Sequence, residues 1–305
     1  MTAYKNDNLC HSRLIHLAFL AYGLSTESYI YVMILRMQKH VTLEKTVGET
    51  PLACVETWRA TLPEMNGVSL AYAGRLDPMA SGKLLVLIGE ECKNQTHYHS
   101  LDKEYEFSIL FGIDSDTHDV LGRLKTEVIV PEVNVGQLTD ITIQLVGEIE
   151  LPYPHFSAKT VQGKPLHVWT LEERLDEIEI PSKHSTIYSM EFNNIETKSR
   201  IEVAKEARAK IDTIPEVTEA SKALGNDFRR TDVRKDWEVF ATDNSLPEEY
   251  KIATFTCVSS SGTYMRTLAS VIANKLNTVG VAWNIHRTKI GVYDSRANTW
   301  KVLFD

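Results

Sequence analysis

The stretch SLAYAGRLDPMASGKLLVLIGEECK, residues 69–93, decides how the chain is read. Its centre is a single carboxylate, Asp77, between Leu76 and Pro78. A proline pushes the residue before it into an extended or turn conformation. Gly74 and Gly82 flank the pair, and Ala73, Ala80 and Ser81 keep the surroundings small. The apolar run LLVLI (84–88) follows at once and reads as a short buried strand. ASGK invites comparison with a phosphate loop. That loop needs glycine where Asp77 stands and Ser or Thr where Leu84 stands, so the reading fails.

Working outward, GETPLACVETWRATLPEM reads as a helix capped by Thr50, with Pro51 at its first position and Leu52, Val55 and Trp58 on one stripe. Pro63 ends it. EYEFSILFGI alternates, with Tyr105, Phe107 and Ile109 on one face of a strand. DSDTHDVLG is turn-rich, and it lacks the glycine and glutamate that a calcium loop needs. Residues 141–146 and 186–192 are expected to be strands. Residues 195–250 are charged and helix-forming, and read as an inserted helical subdomain or arm, a solvated arm rather than an RNA contact. KIATFTCV returns to strand alternation. SSSGTYMRTLASVIANKL then turns through Gly262 into a helix with Met265, Leu268, Ile272 and Leu276 on one stripe. VAWNIHRTKIGVYD reads as a final strand pair. Strands and helices mix without regular βαβ alternation, so the class is α+β, a mixed and mainly antiparallel central sheet flanked by helices.

A chain of 305 residues with 43% hydrophobic and 24% charged residues is an ordinary globular composition with ample core. Its net charge of −8 argues against a generally basic nucleic-acid binder but leaves room for a local basic groove. Residues 285–301 carry Arg287, Lys289, Arg296 and Lys301 against one acid, Asp294, and residues 155–167 carry Lys159 and Lys164 with no acid. The cysteines, at 10, 54, 92 and 257, form no CxxC pair, and the histidines show no ligand spacing, so no metal site is expected. Neither apolar patch in residues 14–35 reaches a membrane span, and no signal peptide is expected there. Residues 1–36 are read as an extension outside a functional unit at 37–305, in a cytoplasmic protein.

One constellation remains. Arg266 lies at a helix start just after a strand and a glycine turn, and Asp77 precedes a strand. A buried aspartate needs a positive partner or hydrogen bonds to stay ionised, and an arginine delivered from a distant turn supplies both. Against this stands the plainer reading, in which Asp77 is a turn residue and Arg266 a surface residue.

Here the chain resembles the TruB-type tRNA pseudouridine synthases. AGRLDPMASGKLLVLIGEECK resembles their G-x-LDP-x-A-x-G loop, apolar strand and G-E-x-x-K end. DKEYEFSILFGIDSDTHDVLG resembles their K-x-Y strand and D-T-x-D loop, LVGEIELPYPHFSAKTVQGKPLH their P-x-[FY]-SA-x-K block, and SSSGTYMRTLASVIANKL their GTY-[IV]-R-[ST]-L block. All four occur in family order across residues 44–293. The resemblance implies the pseudouridine synthase fold and conversion of uridine 55 in the TΨC loop of tRNA to pseudouridine, without cofactor or metal, by a monomer. It places the catalytic aspartate on Asp77, the active-site tyrosine on Tyr105 and the partner arginine on Arg266. Substrate contacts fall on Tyr72, Lys45, Ile285, Arg287 and Lys159. Base flipping, an aromatic platform and an apolar slot suit that chemistry. Core packing is the plainer reading of Ile285.

The sequence departs from the family at Tyr72, where a histidine is usual, at Leu151, where a glutamine is usual, and in the longer 195–250 segment, whose Arg229, Arg230, Arg234 and Lys235 offer an alternative RNA contact. The chain ends soon after the last block, so the C-terminal PUA domain common in the family is expected to be absent. Two other functions remain open on sequence grounds: a non-catalytic RNA-binding module, and a synthase acting on another RNA such as rRNA.

Overall fold

The computed structural model describes residues 38–125, 132–215 and 229–305; the expected N-terminal extension lies outside them. Nine strands form the main sheet: β1 (His40–Lys45), β2 (Leu70–Ala73), β3 (Ala80–Ile88), β4 (Asp102–Phe111), β5 (Gly147–Pro152), β6 (Ser182–Ser199), β7 (Glu249–Ser259), β8 (Gly280–Asp294) and β9 (Thr299–Leu303). Their order in space is β1-β3-β8-β4-β7-β6-β5, with β2 on β3 and β9 on β8. Every pair is antiparallel except β3 with β8, where Ala80, Ser81 and Gly82 run beside Ile285, His286 and Arg287. This is the expected mixed, mainly antiparallel α+β sheet. The segment read as a final strand pair is one long strand, β8, which β9 extends as a hairpin.

Among the described residues seven helices accompany the sheet: α1 (Pro51–Ala60), α2 (Gln95–His99), α3 (Val135–Leu145), α4 (Leu166–Leu171), α5 (Arg200–Asp212), α6 (Arg230–Thr242) and α7 (Met265–Lys275). On one face, α3 and α7 pack Leu138, Leu145, Leu268 and Ile272 against Phe107, Ile109 and Phe255. On the other, α5 and α6 pack Val203, Ile211, Val233 and Trp237 against Leu110, Ile252, Val281 and Trp283. The alternation expected for β4 is therefore present, with Tyr105, Phe107 and Ile109 toward α7 and Leu110 toward α5. Leu84 to Leu87 have no solvent exposure, and each such side chain contributes about 1.5–3 kcal/mol on burial.

Three expectations are corrected. Residues 141–146 are not a strand. They fall largely in α3, where Asn134 and Gln137 form a capping box and Leu138, Ile141, Thr142 and Leu145 are buried at helical spacing. The β-branched alternation of ITIQLV resembles a strand, but the cap and the 3.6-residue stripe decide. In α1, Thr50 caps Ala53 N as expected, but Leu52 points to solvent and Cys54 joins Val55 in the core. Finally, 195–250 is no solvated arm in its described parts. Its first residues complete β6, Glu249 and Tyr250 open β7, and α5 and α6 cover one sheet face.

Candidate active site

Asp77 sits in the turn between β2 and β3, and the turn is fastened from below. Ala80 N donates to Asp77 O at 3.0 Å, and Gly48 N donates to Pro78 O at 2.8 Å. The buried Lys45 ammonium donates to Ala80 O at 2.5 Å and Thr46 O at 2.8 Å. Gly82 has φ +100°, and a Cβ there would lie 2.3 Å from Arg287 O. Only glycine lets β8 run this close beside the start of β3. The small residues around Asp77 thus admit a neighbouring strand as well as leaving open space.

Arg266 comes from the other side. Gly262, with φ +89°, turns the chain out of β7, and Arg266 is the second residue of α7. Its guanidinium is 4% exposed. Nε donates to Asp77 Oδ2 at 2.7 Å, Nη1 to Thr117 O at 2.9 Å and Nη2 to Phe156 O at 3.1 Å. A second carboxylate, Asp119, lies 3.8 Å from Nε and accepts from Thr117 Oγ1 at 2.5 Å and Leu121 N at 3.0 Å. Burial acts to weaken the arginine's basicity, but Asp77 and then Asp119 outweigh it and hold its pKa above the ordinary value. Burial pushes the Asp119 carboxyl up, with Asp77 adding to the rise and Arg266 opposing it. The cation is locked by three acceptors, while the Asp77 side chain stays 37% exposed. The result is a carboxylate presented outward from a buried positive support.

That carboxylate opens into a cavity of about 600 Å³ lined by Tyr72, Tyr105, Tyr264, Ile285 and Arg287 among others. Tyr105 lies opposite Arg287 in the β4–β8 ladder and Ile285 opposite Phe107, so the sheet register places all three together. Arg287 is 1% exposed, and donates from Nε to Lys83 O at 2.7 Å and from Nη2 to Gly74 O at 3.2 Å. Lys103 is buried beside it and donates to His99 O at 3.3 Å and to Leu101 O. Burial first, then the Arg287 charge, lower its pKa to about 8. Burial, helped by Asp77, raises the Tyr264 hydroxyl above its usual value.

Six of the residues singled out from sequence therefore meet in one cavity: Asp77, Tyr105, Arg266, Tyr72, Ile285 and Arg287. Two do not line it. Lys45 supports the Asp77 turn from beneath, and the Lys159 ammonium stands 5.0 Å from the centre of the Tyr153 ring. Sequence reasoning missed Lys103, Thr117, Asp119 and the Phe156 carbonyl as parts of the site. The first three were within reach, in the K-x-Y and D-T-x-D segments. The arginines of the charged segment are engaged with acids: Arg229 with Asp116, and Arg230 and Arg234 with Asp212. Among the described residues no His, Cys, Asp and Glu cluster has metal-binding geometry, and no helix is long and apolar enough to cross a membrane.

A family model described as TruB family pseudouridylate synthase (N terminal domain) matches residues 65–213. The chain is similar to tRNA pseudouridine synthase B of Caldicellulosiruptor saccharolyticus, 30% identical over 257 residues, which cover 84% of this chain and 68% of that protein. It is also similar to tRNA pseudouridine synthase B of Caldanaerobacter subterraneus, 35% identical over 123 residues, 40% of this chain and 42% of that one. It is similar as well to tRNA pseudouridine synthase 4 of Saccharomyces cerevisiae, 27% identical over 239 residues, 71% of this chain and 59% of that one. A solved Cbf5-Nop10-Gar1 complex aligns with a TM-score of 0.49 at 16% identity, over 85% of this chain and 51% of the solved one.

Proposed function

The chain belongs to the TruB family of pseudouridylate synthases, and from that premise we propose that it isomerises uridine 55 in the TΨC loop of tRNA to pseudouridine. The observation that carries the reading is the Asp77 carboxylate, partly exposed at the mouth of the cavity and held there by a buried Arg266 at 2.7 Å.

A uridine inside a folded loop is reached only after it leaves the stack. The flipped base rests against the Tyr105 ring, with Ile285 closing the apolar side of the slot. Asp77 attacks the ribose–uracil unit or takes a proton from it. The C1′–N1 bond breaks, the base turns, and a C1′–C5 bond forms. C5 loses its proton and N1 gains one. Substrate and product contain the same atoms, so the balance closes without an oxidant or reductant. Arg266, donating to Asp77 Oδ2 at 2.7 Å, keeps the carboxylate oriented while the base turns above it.

Mapping pseudouridine in a transcribed tRNA after incubation with the purified protein tests this reading. Wild type places the modification at position 55. Asp77→Asn, which keeps the shape of the side chain, retains tRNA binding and loses turnover by on the order of a thousandfold or more. Full activity in that variant overturns the role of the carboxylate. Modification only of another RNA overturns the target.

A further inference from the structure

The cavity's charge runs against the charge of the chain. The protein as a whole is at −8, yet the cavity wall carries four cationic side chains, Arg75, Lys103, Arg266 and Arg287, against one carboxylate, Asp77. Uracil is neutral, so the base does not account for that excess. Three of the four cations are already committed inside the protein. Lys103 and Arg287 are bound to backbone carbonyls, and Arg266 to Asp77 and two carbonyls. All three are at most 5% exposed. Arg75 is different: it is exposed and, among the described residues, makes no hydrogen bond or ion pair. It stands two residues before Asp77 on the same turn. Arg75 and Tyr264 both line the cavity, so the guanidinium-bearing residue belongs to its wall.

A second uncommitted cation borders the same cavity. Gly262 is part of the lining, and the Lys183 stem of β6 lies directly against it: a Cβ on Gly262 would be 2.7 Å from Lys183 Cε. Lys183 likewise has no hydrogen-bonding or ion-pair partner for its ammonium among the described residues. The half-buried side chain lays its apolar stem along the turn, as long cationic side chains commonly do.

We infer that Arg75 and Lys183 are positioning residues that grip RNA backbone phosphates next to the flipped nucleotide, one from the Asp77 turn and one from the Gly262 turn. This rests on the proposed function, since it assumes an RNA substrate entering the Asp77 cavity. Phosphates supply the anion that the committed cations cannot bind. They carry no base identity, so these contacts set register and affinity rather than sequence choice.

The test measures binding of a transcribed tRNA by wild type, Arg75→Gln, Lys183→Gln and Arg75→Lys across a salt series, with pseudouridine formation followed in parallel. Each Gln variant lowers the slope of log affinity against log salt by about 0.7–1, one phosphate's worth. Its loss falls on KM, while the rate at saturating RNA stays within about twofold of wild type. Arg75→Lys restores the slope. Lys93→Gln, outside the cavity and paired with Glu90, serves as the control and leaves the slope unchanged. Wild-type slopes in both Gln variants of an active enzyme overturn the inference and leave the proposed function standing. A wild-type protein that neither binds nor modifies tRNA overturns the proposed function and the inference with it.

Discussion

Two arginines are buried in the wall of the same cavity, and they do different work. Arg266 and Arg287 are 4% and 1% exposed and each arrives from a distant segment. Arg266 ends on carboxylates, Asp77 at 2.7 Å and Asp119 at 3.8 Å, as well as carbonyls. Arg287 ends on carbonyls alone, Lys83 O and Gly74 O, with a second buried cation, Lys103, beside it. The first arrangement balances charge and leaves a carboxylate usable. The second ties the two ends of the Asp77 turn to β8 and leaves its positive charge uncompensated. Burial alone therefore does not tell which arginine belongs to the chemistry; the acceptor does.

The largest expected effect comes from removing the charge-balancing member. Arg266→Met strands Asp119 as a buried carboxylate without its cation and frees Asp77 from its support. Breaking a buried pair from one side costs about 3–5 kcal/mol, read as a lower urea midpoint at unchanged slope. Turnover on tRNA falls on the order of a thousandfold, like that of Asp77→Asn. Arg266→Met with Asp119→Asn recovers part of the stability and none of the activity. A fully stable Arg266→Met single variant breaks the comparison, because Arg266 would then be no more a charge partner than Arg287.

Arg287→Met is expected to cost less. It strands two carbonyls but no carboxylate, a loss of about 1–3 kcal/mol. It also removes a like charge from Lys103. Its effect on turnover is roughly tenfold, through a loosened Asp77 turn, and urea unfolding beside single-turnover kinetics separates it from Arg266→Met. An equal loss of activity in the two variants would mean that Arg287 touches the substrate directly.

The same contrast explains what sequence could reveal. Asp77 and Arg266 were legible because local rules isolate them: a proline after the acid, a glycine turn before the arginine, an apolar strand or stripe beyond each. β4 was legible because its alternation is long. What stayed hidden depends on distant packing. The resemblance places Lys45 among the substrate contacts, but its ammonium is buried under the Asp77 turn, where three backbone carbonyls converge. Asp119 sits in a loop whose acids suggest calcium, and only the arrival of Arg266 gives it a role. Charged composition masked the stripes of α5 and α6, where Val203, Ala207 and Ile211, and Val233, Trp237 and Phe240, recur at helical spacing and cover a sheet face. In α3 a six-residue alternation outweighed a capping box that begins seven residues upstream, though the cap and the stripe it starts are the longer signal.

The smallest effect is a titration that weighs the two arginines by charge. Lys103 is held at about 8 by burial first and the Arg287 charge second, against about 10.4 for a free lysine. Between roughly pH 8 and 10 the unfolded chain carries a proton on this lysine that the native protein has given up. Stability rises with pH wherever the unfolded state binds more protons, so Lys103 contributes a rise on the order of 2 kcal/mol across that window. Lys45, lowered to about 8 chiefly by burial, adds a rise of the same sign. Above pH 10 the sign reverses, because Tyr188 and Tyr250, pushed up to about 12 chiefly by burial, keep protons that the unfolded chain has lost. Unfolding free energy measured from pH 7 to 10 is expected to climb in wild type and to climb less in Lys103→Met. In Arg287→Met the climb shrinks only in part, since burial still depresses the lysine after the like charge is gone. A climb in Arg287→Met as steep as wild type would mean that the Arg287 charge does not reach Lys103. The lowered Lys103 pKa would then rest on burial alone.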